Sequence, residues 1–143
     1  MNFPVMNVDW LIYQDLADNI WQAQMAGHPK LLTYKGRSSS TRRAAMRYEV
    51  GLTKGRVPII RPEEFDRDEY PFACTDEGGR ASWIGHITIS RNRAAGRLMS
   101  SFFLQNNILA RSKFYVRVLN HPMGPVTSFC KPRCLGCRRT ACG

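Results

Sequence analysis

Not one acidic residue lies beyond position 77 in this 143-residue chain. All eleven (Asp9, Asp15, Asp18, Glu49, Glu63, Glu64, Asp66, Asp68, Glu69, Asp76 and Glu77) fall before that point or at it, whereas the basic residues divide 10 before and 11 after, so the front half carries −1 and the back half +11. A half without carboxylates cannot neutralise its own field and should attract a polyanion. Nucleic acid is the expected partner ahead of anionic lipid, because no amphipathic basic helix stands out. A surface charged only for solubility would mix signs. Also missing is any apolar run near the roughly 18 residues of a membrane span, so no membrane partner is expected. The first residues lack the basic start and continuous apolar core of a signal peptide, which leaves localisation open: a chain made without a leader, an excised mature domain, or one carried out by a dedicated system. No internal repeat and no low-complexity segment are present.

What remains is a chain near the usual size of one domain, with apolar residues at 43% and charged residues at 22%, an ordinary globular composition. The main body is expected over residues 1–120, with a basic, cysteine-rich tail over 121–143. Four of the five cysteines, Cys130, Cys134, Cys137 and Cys142, crowd that tail, and Cys74 stands alone. The tail spacing, with Pro132 and Gly136 as turn residues, suits a small zinc site or two short disulfides, and spacing does not choose between them.

Periodicity supplies the elements. Val8, Leu11, Ile12, Leu16, Ile20 and Trp21 recur at three and four, predicting a helix over 8–24 with Asp9 as N-cap and Gly27 at its end. A short strand over 31–34 follows. Arg42, Arg43 and Arg47 fall on a short basic helix, either a phosphate-contact patch or a solvated face. Two strand-forming runs, 65–75 and 81–90, flank the turn residues Asp76 to Arg80. Ser90 is the expected N-cap of a helix over 91–106 whose apolar face would be Leu98, Met99, Phe102, Phe103 and Leu104. A last strand is expected over 114–119. The fold class is α+β, a small antiparallel sheet with helices, organised round a strand, turn, strand, helix unit.

The densest chemistry is Asp66-Arg67-Asp68-Glu69-Tyr70-Pro71, with Glu77-Gly78-Gly79 after it and Asn92 beyond. Hydrolysis of a phosphodiester needs an activated water, a base for its proton, and positive charge on the phosphate and leaving oxygens. A hard divalent ion such as Mg2+ or Mn2+ supplies that charge and binds through oxygens of Asp, Glu and Asn. On a strand, Asp66 and Asp68 share one face and Arg67 and Glu69 the other. Asp68 is therefore expected in the site, with one of Asp66 and Glu69 structural. Asn92 would stand at a helix start, where backbone amides and the dipole favour phosphate.

The series Asp-Arg-Asp-Glu-Tyr-Pro, Glu-Gly-Gly and Asn-Arg-x-Ala-Gly, preceded by Ala26-Gly27-His28-Pro29 and the Arg42-Arg43 pair, is similar to the NucA/NucB-type bacterial deoxyribonucleases, from roughly residue 3 to residue 119. The resemblance implies a minimal ββα-metal nuclease cutting DNA with little sequence preference. It implies that Asp68 stands where most such enzymes have a histidine base, that Asn92 holds the metal with Glu69 helping, and that Arg67 and Arg93 serve phosphate charge. Glu77 would be a turn or supporting residue. An unperturbed carboxylate, with a pKa near ~4, is a weaker base than histidine. Two departures stand out: Arg91 replaces an Asp that usually precedes the Asn, and Leu31-Leu32-Thr33 lacks the cysteine that would pair with one near Cys74. Domains of this kind also occur as toxins in bacterial competition, which would imply an immunity partner.

The other candidates carry plainer readings. His28 is expected to be structural at its turn, His86 could reach the site, and His121 is a weak metal-ligand candidate. Trp10, Trp21 and Trp83 read as core, and Tyr70 as packing. Two alternatives compete with the deoxyribonuclease: a non-enzymatic, zinc-containing nucleic-acid-binding module, and a ribonuclease toxin.

Overall fold

The computed structural model describes residues 2–36, 65–79 and 82–126. Seven elements follow in order: β1 (Val5–Asp9), α1 (Gln14–Met25), β2 (Leu31–Thr33), β3 (Phe65–Tyr70), β4 (Trp83–Thr88), α2 (Ile89–Gln105) and β5 (Lys113–Leu119). The α+β class is as expected. The sheet arrangement is not purely antiparallel: β1, β5 and β2 form one sheet, in which β1 runs parallel to β5 and β2 antiparallel to it, while β3 and β4 form a separate antiparallel hairpin.

The parallel pair exists because the first helix starts later than its spacing suggested. Met6 and Val8 are buried while Val5 and Asn7 face out, a period of two that belongs to a strand. Leu11 and Ile12, counted above on the helical face, are 69% and 54% exposed. Asp9 does not cap the helix; its carbonyl accepts from Ile12 and Tyr13, making the turn that leads into α1. Gly27, at φ 105°, does follow the helix end, in a conformation that favours glycine.

From there α1 is amphipathic, burying Leu16, Ala17, Ile20 and Ala23. These residues share a core with Met6, Val8, Leu32, Phe114, Val116 and Val118 of the three-stranded sheet, and with Tyr70, Phe72 and Phe102. Two polar residues, Asn19 and Gln24, lie buried on the same helix. Gln24 Nε2 donates to the carbonyl of Val116 on β5 at 3.0 Å and to Tyr70 Oη on β3 at 2.9 Å, and Tyr70 donates onward to the Pro29 carbonyl at 2.7 Å. One buried relay therefore ties the sheet, the helix and the hairpin, so Tyr70 is a packing residue. Burial raises its phenol above the ordinary range.

The hairpin strands are shorter than the sequence runs: β3 ends at Tyr70, before the cis Tyr70-Pro71 bond, and β4 ends at Thr88. Thr88, not Ser90, caps α2, its side chain accepting from the Arg91 amide. Phe102 is buried and Leu98, Met99 and Phe103 pack on the core, but Leu104 is 85% exposed and leaves the apolar face. The chain beyond β5 stays against the body as far as it is described: His121 stacks on Trp21 with ring centroids 4.2 Å apart and reaches Asp18 at 2.8 Å, and Trp21 Nε1 donates to the Gly124 carbonyl. His121 is engaged in packing. Residues 42, 43 and 47 and the four tail cysteines lie outside the described residues.

Candidate active site

The hairpin register decides which acidic side chains meet. Asp66 stands opposite Ile87, Asp68 opposite Gly85 and Tyr70 opposite Trp83, all on the face that α1 and α2 cover. Glu69, opposite Ile84, points to the other face by the alternation of the strand, as does His86 on β4. The side chain of Arg67 is outside the described ones. The division read from the sequence, two acids one way and one the other, is thus the one the strand adopts, and it separates His86 and Glu69 from Asp66 and Asp68.

Each of the two acids has an amide partner from a different helix. Asn92, in the first turn of α2, donates through Nδ2 to Asp66 Oδ2 at 2.9 Å. Asn19, in the middle of α1, donates through Nδ2 to Asp68 Oδ2 at 2.9 Å and to the Asp68 carbonyl at 3.3 Å. Asn92 therefore lies across the hairpin end from Asp66. Arg93 and Arg97 are exposed on α2. Arg91, at the position of the expected acid, donates to the Ile12 carbonyl and so ties α2 to the approach to α1.

Environment sets the basicity of Asp68. Burial pushes its pKa up to about 7 from an ordinary 3.8; the Asn19 hydrogen bond works against this and the negative charge of Glu69 adds to it. The weak-base expectation for a carboxylate is thereby corrected, since Asp68 titrates close to where a histidine does. A group poised near neutral pH is suited to taking a proton from water.

The donor set fits a hard divalent ion of the magnesium type. Among the described residues no three His, Cys, Asp or Glu side chains converge on one point. Magnesium is commonly held by one or two protein oxygens, with waters and substrate phosphate completing its shell. Asp66 and Asn92, bonded to each other at the positive end of a helix, each keep an oxygen outside that bond, Asp66 Oδ1 and Asn92 Oδ1.

Other candidates have structural work. Glu77 accepts from the Thr33 amide at 2.8 Å and from Thr33 Oγ1 at 2.9 Å, fastening the turn after β3 to β2. His28 meets the edge of Trp83, and burial lowers its pKa. Cys74 is a free thiol, half-buried, whose pKa burial pushes up to about 11, away from the thiolate form that reacts. Asn19 was not anticipated. Its signal was a polar residue at the apolar spacing of α1, three after Leu16 and four before Ala23. A cavity of about 560 Å3 lies beside β5, lined by Lys30, Tyr115, Arg117 and Val126 among others, and none of Asp66, Asp68, Asn19 and Asn92 borders it.

Comparison with known proteins identifies the family. Residues 20–117 match the family described as Deoxyribonuclease NucA/NucB. Over 84 residues the chain is 31% identical to a protein named DNA-entry nuclease from Bacillus subtilis (strain 168), covering 59% of this chain and 51% of that protein. The chain thus spans about half the length of that relative. The family match runs from inside α1 to within β5, well over half the sequence, and takes in Asp66, Asp68 and Asn92: the chain belongs to the deoxyribonuclease NucA/NucB family.

Proposed function

We propose that the domain is a metal-dependent endonuclease that hydrolyses phosphodiester bonds of DNA with little sequence preference. The observation that carries this is the placement of Asp68 and Asp66 on one face of β3, with Asn92 of the following helix bonded to Asp66. In this reading Asp68 takes the proton of the attacking water. With Oδ2 engaged by Asn19, Oδ1 is the oxygen left for that proton. Asp66 and Asn92 hold Mg2+ or Mn2+, and Asp66 takes the supporting place expected of Glu69, which the strand turns to the other face. The ion, when bound, supplies positive charge to the phosphate and the leaving oxygen. Arg93, exposed one residue beyond Asn92, contacts backbone phosphate, and the acid-free back half draws the polyanion toward the site.

DNA is favoured over RNA by the family and by the name of the relative in Bacillus subtilis. The reading extends to a toxin role with an immunity partner and to zinc held by the cysteine-rich tail. The test is plasmid nicking by the purified protein in Mg2+ or Mn2+, with structured RNA in parallel. Nicked DNA that no longer forms with a chelator is the expected result. Salt-sensitive DNA binding unaffected by the chelator, without product, would instead establish the non-enzymatic module.

A further inference from the structure

Asn19 is a polar side chain 5% exposed, placed on the buried face of α1. Both groups within its reach on β3, the Asp68 carboxylate and the Asp68 carbonyl, are acceptors, so its amide nitrogen must face them and its Oδ1 must face away. On that far side stands Gly85, the β4 residue directly opposite Asp68. A Cβ at Gly85 would lie 2.6 Å from Asn19 Cγ and 3.3 Å from its Nδ2, and would overlap Oδ1. Because Asn19 is buried and its Nδ2 is bonded to two atoms of Asp68, it could not yield to that Cβ without leaving Asp68.

We infer that Asn19 is a positioning residue that fixes the direction of the Asp68 carboxylate, and that Gly85 is glycine to admit it. The inference rests on the reading of Asp68 as the base. A carboxylate two bonds from the backbone can turn about its side-chain torsions, and only one direction presents an oxygen to the attacking water. Asn19 grips Oδ2 and the carbonyl of the same residue together, which fixes that direction from a rigid helix, while Asn92 orients Asp66 from the other helix. The two acids of one strand are thus aimed by two independent elements.

The test compares cleavage of plasmid DNA by the parent, Asn19→Leu, Asn19→Ala, Gly85→Ala, the Asn19→Ala/Gly85→Ala double variant and Asp68→Ala, at a temperature where far-UV circular dichroism shows each folded. Leucine keeps the approximate shape of asparagine without a donor. Asn19→Leu and Gly85→Ala are each expected to lower kcat by ~10- to 100-fold, the scale of a misplaced reacting group, with KM for DNA changed less than ~2-fold. Gly85→Ala should add little in the Asn19→Ala background, because the side chain it would strike has gone. Parent-like kcat in folded Asn19→Leu, with Asp68→Ala inactive, overturns the inference and leaves the base reading standing. A rise in KM at unchanged kcat also overturns it, since Asn19 would then serve DNA binding. Parent-like cleavage by Asp68→Ala overturns the base reading itself.

Discussion

A single carboxylate shows how far the surroundings of a residue can change its chemistry. Asp68 is ionised with difficulty because burial removes water from it, and its pKa rises to about 7 from 3.8. A folded-state pKa above the unfolded one means that the folded protein keeps a proton the unfolded chain has released. The stability associated with it is fully present below the unfolded value and is lost as pH rises to and through about 7. Asp68→Asn removes the titration but keeps an acceptor for Asn19. In chelator, the variant should therefore melt higher than the parent at pH 8, by roughly 5 °C after allowance for residual exposure to water, with the gain shrinking steadily toward pH 4. Scanning calorimetry across that range checks this; a gain independent of pH would contradict it. In Asp66-Arg67-Asp68-Glu69 alternation on a strand separates the set in two, and the resemblance to the family, not the alternation, singles out Asp68 from Asp66 as the base. Its raised pKa was not legible in the sequence, since it depends on α1 lying over the strand, and no local pattern reports which helix covers which hairpin.

The ends of the elements and the ties between them hold the site in place. Thr88 closes β4 and caps α2, with the Arg91 amide donating to its hydroxyl, and Asn92 sits one residue further on. Thr88→Ala should cost about 1 kcal/mol of stability, as cap removal does. It should also raise the Mg2+ concentration for half-maximal cleavage, because the turn carrying Asn92 loosens; denaturant melts and a metal titration read the two effects. Glu77 is a different tie, both its oxygens bonded to Thr33 of β2. Glu77→Ala should destabilise by about 2–3 kcal/mol, the scale of charge-assisted bonds lost with a stranded partner. Its kcat should stay near that of the parent wherever the variant remains folded. The hairpin and α2 were readable from alternation and from the strand, turn, strand, helix order. The first strand was hidden because Val8 fits the three-and-four spacing of Leu11 and Ile12 as well as the period of two with Met6. Only its pairing with β5, on the far side of the sequence, settles the matter, and that is a long-range contact.

At the scale of the whole molecule, charge and site divide the chain. Every carboxylate lies at or before Glu77, and the back half carries +11. Binding of DNA by Asp68→Ala should therefore weaken steeply with salt, by several powers of ten in Kd for each power of ten in salt concentration if several phosphates are neutralised. Fluorescence anisotropy at increasing NaCl measures this, and a flat dependence would contradict the role given to the basic half. The charge division was fully visible in the sequence, since it needs no fold. The convergence of Asp66, Asp68, Asn19 and Asn92 needed the three-dimensional arrangement of two helices over one hairpin. The central claim is that Asp68 is the base of a metal-dependent phosphodiester cleavage. Single-turnover cleavage of a DNA duplex in saturating Mg2+ by folded Asp68→Ala tests it most directly: a fall of about 10²- to 10⁴-fold relative to the parent is predicted for loss of a general base, and a rate within about twofold of the parent would contradict the account.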